Sequence, residues 1–130
     1  MTARKAHLET KSRAASILQL DPAIRYVAII DYSNTTIEYK GQGRFQLSLE
    51  KFRSFLSIGP LLALGSMACK LEPSCGRLRY LVGCFENALV AIYQLNSLIA
   101  VIVVDSACSV HRLNEFATLL KAMEKRDWKT

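Results

Sequence analysis

The chain is short of the residue groupings that announce a reaction. It has four cysteines and two histidines, and Cys69, Cys75, Cys84 and Cys108 are separated by five, eight and twenty-three residues. That spacing matches no zinc ribbon, zinc finger or redox Cys-x-x-Cys pair, so neither a metal site nor a dithiol centre is expected. In a reducing compartment such thiols are expected to stay reduced and to pack as small buried apolar residues. A glycine-rich phosphate loop is also missing, because Gly41-Gln42-Gly43 is too short and precedes no helix start. Residues Met1 to Ser12 hold basic side chains with no apolar core behind them, so no secretory signal is expected here and the cytoplasm is the expected default location. Internal repeats, low-complexity segments and interdomain linkers are absent. A length of 130 residues is therefore expected to form one domain, 1–130, with an ordered core of about 10–125.

Charge is missing from one long stretch. The eighteen residues from Asn87 to Val104 contain no formal charge, which brings the stretch to the lower edge of the length a membrane-spanning helix needs. Its middle is polar, with Gln94, Asn96 and Ser97 close together, and its flanks are rich in β-branched residues. Two buried strands joined by a tight turn explain both features better than a spanning helix does.

What is present is a globular composition, 51% hydrophobic and 22% charged, with a formal net charge of +6. The apolar share is high enough to leave some for an interface, and the positive field favours an anionic partner without choosing among nucleic acid, lipid and acidic protein. The cations are scattered, and the densest group, Lys121 to Lys129, also contains Glu124 and Asp127, as helix surfaces do.

Along the chain, Leu8, Ala14, Ala15, Ile17, Leu18 and Leu20 predict an amphipathic helix over 6–20, stopped at Asp21-Pro22. Ile24 to Asp31 has the β-branched content of a strand, and a turn at Ser33-Asn34 leads to a second strand over 35–40. The formal glycosylation acceptor Asn34-Thr35-Thr36 is read as part of that turn. From Leu47 to Leu71 the apolar spacing is helical, with a kink or a break into two helices at Gly59-Pro60. A loop over 72–76 follows, then strands over 77–85, 88–95 and 98–104, joined by connections short enough for hairpins. Val110 to Lys125 closes the chain as an amphipathic helix through Leu113, Phe116, Ala117, Leu120 and Met123.

This order of helix, two strands, long helix, three strands and helix resembles the Roadblock family of small profilin-like α/β proteins, and short archaeal relatives of that class, over roughly residues 10 to 125. The likeness is carried by Leu20-Asp-Pro-Ala-Ile-Arg-Tyr-Val-Ala-Ile-Ile-Asp31, by the small and polar break Ser74-Cys75-Gly76, and by the closing strand Leu98 to Asp105. One departure is Asp31-Tyr32-Ser33, where family members usually place a glycine after the aspartate. The resemblance implies an α+β fold: a five-stranded antiparallel sheet of order 2-1-5-4-3, the long middle helix on one face and the terminal helices on the other. It also implies a homodimer in which the long helices pair and the third strands meet, with Phe52, Phe55, Leu56, Leu62 and Met67 expected to divide between subunit core and interface. A small GTPase or a larger assembly is the implied partner.

Three functional classes compete on the residues. For an enzyme, Asp31 is one candidate, and Asp105, Ser106, Cys108 and His111 lie close in sequence and invite a Cys–His pair. Such pairs depend on geometry rather than on sequence proximity, and Ser106 or Ser109 more simply caps the last helix. For nucleic acid, Arg25, Lys40, Arg44, Arg77 and Arg79 with Tyr26, Tyr39 and Tyr80 outline a basic, aromatic sheet face, although alternating Arg and Tyr are also ordinary solvent-side residues. A small-molecule sensor would need a polar cluster in the core, and none is visible. The reading that remains is a non-enzymatic dimeric scaffold or regulator with no cofactor, using Arg77 and Arg79 toward an acidic protein surface; the alternative is a nucleic-acid-binding module.

Overall fold

The uncharged stretch is a hairpin. In the computed structural model, which describes residues 13–31, 36–41, 59–96 and 98–126, the chain runs α1 (Arg13–Leu18), β1 (Ile24–Asp31), β2 (Thr36–Gly41), α2 (Gly59–Cys75), β3 (Tyr80–Cys84), β4 (Ala88–Gln94), β5 (Leu98–Asp105) and α3 (Val110–Arg126). Strands β4 and β5 pair antiparallel from Ala88 opposite Asp105 to Gln94 opposite Ile99, and the Leu95 N–H closes the turn onto Leu98 O at 2.9 Å. No described helix is long and apolar enough to cross a membrane.

The five strands form one antiparallel sheet in the order β2-β1-β5-β4-β3, as the family resemblance implied. Strand β5 lies at its centre, and every residue from Leu98 to Val104 is buried. Side chains alternate across a strand, so Leu98, Ala100, Ile102 and Val104 enter one apolar cluster, and Ile99, Val101 and Val103 enter another. The first cluster is closed by Ala14 and Ile17 of α1 and by Leu113, Phe116, Ala117, Leu120 and Met123 of α3. Their spacing in α3 is the three- and four-residue repeat that puts one helix face on a sheet. The second cluster joins Tyr26, Ala28, Ile30 and Ile92, with Leu78, just beyond α2, packed against it. Leu78, three residues past the end of the middle helix, thus lies on the opposite face from the terminal helices.

Polar contacts tie the helices to strand ends. Glu38 of β2 accepts the backbone N–H of Arg13 at 3.1 Å, which places a carboxylate at the first residue of α1. The Arg13 guanidinium bonds both Glu38 and the buried Asp31, the latter at 2.8 Å. At the other end of the sheet, Arg112 of α3 bonds Asp21 and Glu115, and Asp21 also accepts the Ala23 N–H at 2.8 Å. Tyr93 reaches from β4 to donate to Leu113 O at 2.7 Å; burial holds its hydroxyl far above the ordinary tyrosine range.

Two expected boundaries move by three residues or more. The middle helix continues to Cys75 rather than ending at Leu71, with Pro73 inside its last turn. It stops at Gly76, whose φ of 84° lies in the left-handed region and whose N–H bonds Glu72 O at 2.9 Å, the αL ending that glycine permits. The Glu72 carboxylate then holds the Leu78 N–H at 2.9 Å, so residues 76–79 form a connection and the third strand begins at Tyr80 rather than Arg77. Pro60 stands in the first turn of α2, where a missing N–H costs no intrahelical bond. The expected kink involves residues 47–58, which lie outside the described residues, as do residues 6–12 of the first predicted helix.

Phe116 is fully buried against the sheet, and Phe116→Ala is expected to destabilise the chain by about 3–5 kcal/mol through lost burial and the cavity left behind, measured by urea denaturation. Asp21 supplies a pH dependence. The Ala23 N–H bond, and then the Arg112 bond, hold its carboxyl below the ordinary value of 3.8. A depressed folded value means that the unfolded chain takes up the proton more readily. The contribution is complete above the ordinary value and is lost as pH falls from there through the folded value. Asp21→Asn should therefore flatten the fall of the urea midpoint in that acidic window and leave its slope near neutrality unchanged.

Candidate interaction surface

The surface with the least internal explanation lies along β3 and the second half of α2. Strand β3 is an edge of the sheet, and its burial falls along its length, from half-buried Tyr80 and Leu81 to exposed Val82, Gly83 and Cys84. Phe85 follows at 55% exposure, and Val82 is 40% exposed. From Tyr80 to Phe85 the segment has no charge. In α2, Gly65, Ser66, Cys69 and Pro73 are exposed, and the 3.6-residue repeat places them on one face of small side chains. A Cβ on Gly65 would meet nothing within 4 Å. Leu71 on the same helix is 47% exposed. Edge strands that carry neither charge nor proline invite pairing with another chain.

The backbone of β3 shows which atoms that edge offers. Phe85 donates its N–H to Ala88 O at 2.9 Å, opposite the register that pairs Gly83 with Val90 and Leu81 with Ile92. Hydrogen bonding in an antiparallel ladder alternates from residue to residue. Leu81 and Gly83 accordingly face β4, and the backbone groups of Tyr80, Val82 and Cys84 face the open edge.

The expected interface residues are only partly visible. Met67 is half-buried in α2. Leu62 lies in the same helix with its side chain outside the described part, and Phe52, Phe55 and Leu56 lie outside the described residues. Arg77 and Arg79 are both exposed and flank the inward-turned Leu78 in the connection before β3. The reading of the cysteines as buried apolar residues is corrected: Cys69, Cys75 and Cys84 are exposed and Cys108 is half-buried. The first two sit on the outer side and last residue of α2, and Cys84 ends the edge strand, positions that hydrophobicity alone does not distinguish from a core site.

The sequence grouping of Cys108 with His111 does not become a catalytic pair. His111 is turned outward, its Nε2 3.8 Å from the Glu115 carboxylate, and the Cys108 thiol donates weakly to Ser109 O at 3.8 Å. Burial, and then the nearby Asp21 carboxylate, push that thiol up, away from the reactive thiolate. Ser109 instead accepts the Arg112 N–H at 3.1 Å and caps α3. Asp31 is engaged by Arg13. Among the described residues no group of three or more His, Cys, Asp or Glu side chains is placed to hold a metal.

The outlined basic, aromatic face is dispersed. Arg25 pairs with Asp105 at 2.5 Å; Tyr26 is buried, and the Tyr80 ring rests 5.3 Å from that of Tyr93. Lys40 lies on β2 and Arg77 and Arg79 precede β3, at opposite edges of the sheet. Arg44 lies outside the described residues. The signal for the edge itself was present in the sequence, as a short uncharged strand beginning after two arginines, but its edge position is a property of strand order.

No family model and no curated protein matches the chain. Solved structures do. A Roadblock/LC7 domain from Streptomyces avermitilis superposes with a TM-score of 0.63 at 11% identity, covering 90% of this chain and 95% of the other. The gliding protein mglB from Thermus thermophilus gives 0.60 at 18% identity, covering 84% and 82%. An MglB with tetrameric arrangement gives 0.61 at 16% identity, covering 86% and 85%. The element order, the strand order and these superpositions agree, and at such identities they establish architecture: the chain adopts the Roadblock/LC7 fold.

Proposed function

We propose that this chain is a non-enzymatic, dimeric scaffold or regulatory protein whose partner is a small GTPase or another acidic protein surface. The observation that carries the reading is the open edge of β3, uncharged and apolar and flanked by the exposed small-residue face of α2. An edge of that composition is a liability in a monomer and an asset in an assembly. In this reading α2 pairs with its copy and β3 meets β3, with Phe52, Phe55, Leu56, Leu62 and Met67 shared between core and interface. One structural neighbour, an MglB, has a tetrameric arrangement, in keeping with association through this fold. The GTPase comes from the family resemblance, and fold alone does not fix function.

Arg77 and Arg79 are the proposed contacts to an acidic surface. No ion pair to a described residue engages either of them, whereas Arg13, Arg25 and Arg112 are each matched to carboxylates. Exposed rim charges act mainly on the rate of encounter. Of the residues in the nucleic-acid reading, Arg77 and Arg79 stay exposed before β3, but the exposed Tyr39 and Lys40 lie on the opposite edge strand, Tyr26 is buried and Tyr80 rests against Tyr93.

Light scattering on the purified chain should give twice the 14.5 kDa monomer mass, and a monodisperse monomer at high micromolar concentration would remove the dimer. With candidate GTPases, Arg77→Glu should lower the association rate by roughly tenfold at low salt while the mass stays dimeric. Tight RNA or DNA binding at physiological salt, lost in the same variant, would put the nucleic-acid reading in its place.

A further inference from the structure

We propose that β3 is charge-coded to pair with its own copy, with Arg79 of one subunit held against Phe85 and Glu86 of the other; the inference rests on the dimer reading above. The segment has a polarity that a single chain does not use. Arg77 and Arg79 stand before its N-terminal end, an uncharged run follows from Tyr80 to Phe85, and Glu86 stands just past its C-terminal end. Arg77, Arg79, Phe85 and Glu86 are all exposed, and among the described residues neither arginine nor Glu86 forms an ion pair. A strand with cations at one end and an anion at the other is complementary to itself when turned antiparallel.

The open-edge pattern fixes the register. The outward backbone groups belong to Tyr80, Val82 and Cys84, and Val82 is the middle residue of the strand. A two-fold axis through Val82 sets Val82 against Val82, pairs Tyr80 with Cys84 of the copy, and lets all three outward residues form ladder bonds. Continuing that register by one position puts Arg79 opposite Phe85 of the copy and one residue from its Glu86. Directly opposed side chains lie about 5 Å apart, so the guanidinium is set against the Phe85 ring, and Glu86, in the bend that follows the strand, brings its carboxylate to the same end of the seam. Symmetry makes the contact twice. Shifting the axis by one residue leaves an outward backbone group without a partner, and parallel pairing sets cation against cation. The ends of the strand therefore choose both direction and register, which an uncharged edge leaves open.

Dimer dissociation constants from sedimentation equilibrium test this with Arg79→Glu, Glu86→Arg and the double charge swap. Each single change should raise the constant by about tenfold at low salt, with the effect shrinking as salt rises, and the swap should restore it. Circular dichroism on each variant confirms that the subunit is folded. A wild-type dimer whose constant is unmoved by either single change, or a swap that only adds the two losses, overturns the charge code while leaving the dimer in place. A wild-type monomer overturns the dimer reading and this inference with it.

Discussion

Strand β5 is buried on both faces, and the rest of the molecule is arranged to keep it so. A strand of Leu, Ile, Ala and Val with no polar side excludes the usual antiparallel solution in which one sheet face meets water. It therefore needs a strand on each side and helices above and below. The neighbours β1 and β4 supply the pairing. The terminal helices close one face through Ile17, Phe116 and Leu120, and Leu78 seals part of the other. Charged residues appear only where the strand ends, at Asp105, which is half-buried and meets Arg25.

The ion pairs divide the surface into used and unused charge. Arg13 with Asp31 and Glu38, and Arg112 with Asp21 and Glu115, anchor helices whose apolar stripes alone would allow them to slide over the sheet. Pairs with exposed members, such as Arg112 with Glu115, contribute little energy each, but Arg13 with the buried Asp31 and with Glu38, and Arg112 with Asp21, join segments distant in sequence. Arg77, Arg79 and Glu86 anchor nothing among the described residues. They cluster beside the one sheet edge that is apolar, exposed and free of charge, so the unused charges and the unused hydrogen-bonding edge occupy the same strand. The opposite edge, β2, carries Glu38 and Lys40 and is engaged by α1 through Arg13. The two edges differ in chemistry as well as in position.

Much of this architecture was legible because it is periodic. The polar interruption at Gln94 to Ser97 separated two strands correctly, and the repeat from Leu113 to Met123 located the closing helix. The misread places follow local geometry that periodicity does not carry. Pro73 reads as a helix breaker, yet it is tolerated in the final turn of α2, and the helix ends three residues later at a left-handed glycine. Arg77-Leu78-Arg79 reads as the alternation of a strand, yet Leu78 is drawn inward by the core while its N–H is taken by Glu72. The cysteines read as core because small apolar residues usually are, and three of them fall on exposed positions of α2 and β3.

The sequence by itself determined the type and order of the described elements, the doubly buried central hairpin and the amphipathic faces, because these depend on the order of apolar and polar residues along a few turns or strand lengths. It also determined the charge polarity around β3. Strand order decided the rest. Only with β2 and β3 at opposite margins does Lys40 separate from Arg77 and Arg79, and only then does Tyr80 to Phe85 become an open edge. Arg13 meets Asp31 and Arg112 meets Asp21 across 18 and 91 residues of chain, separations at which local sequence pattern does not select a partner and packing of the helices on the sheet does.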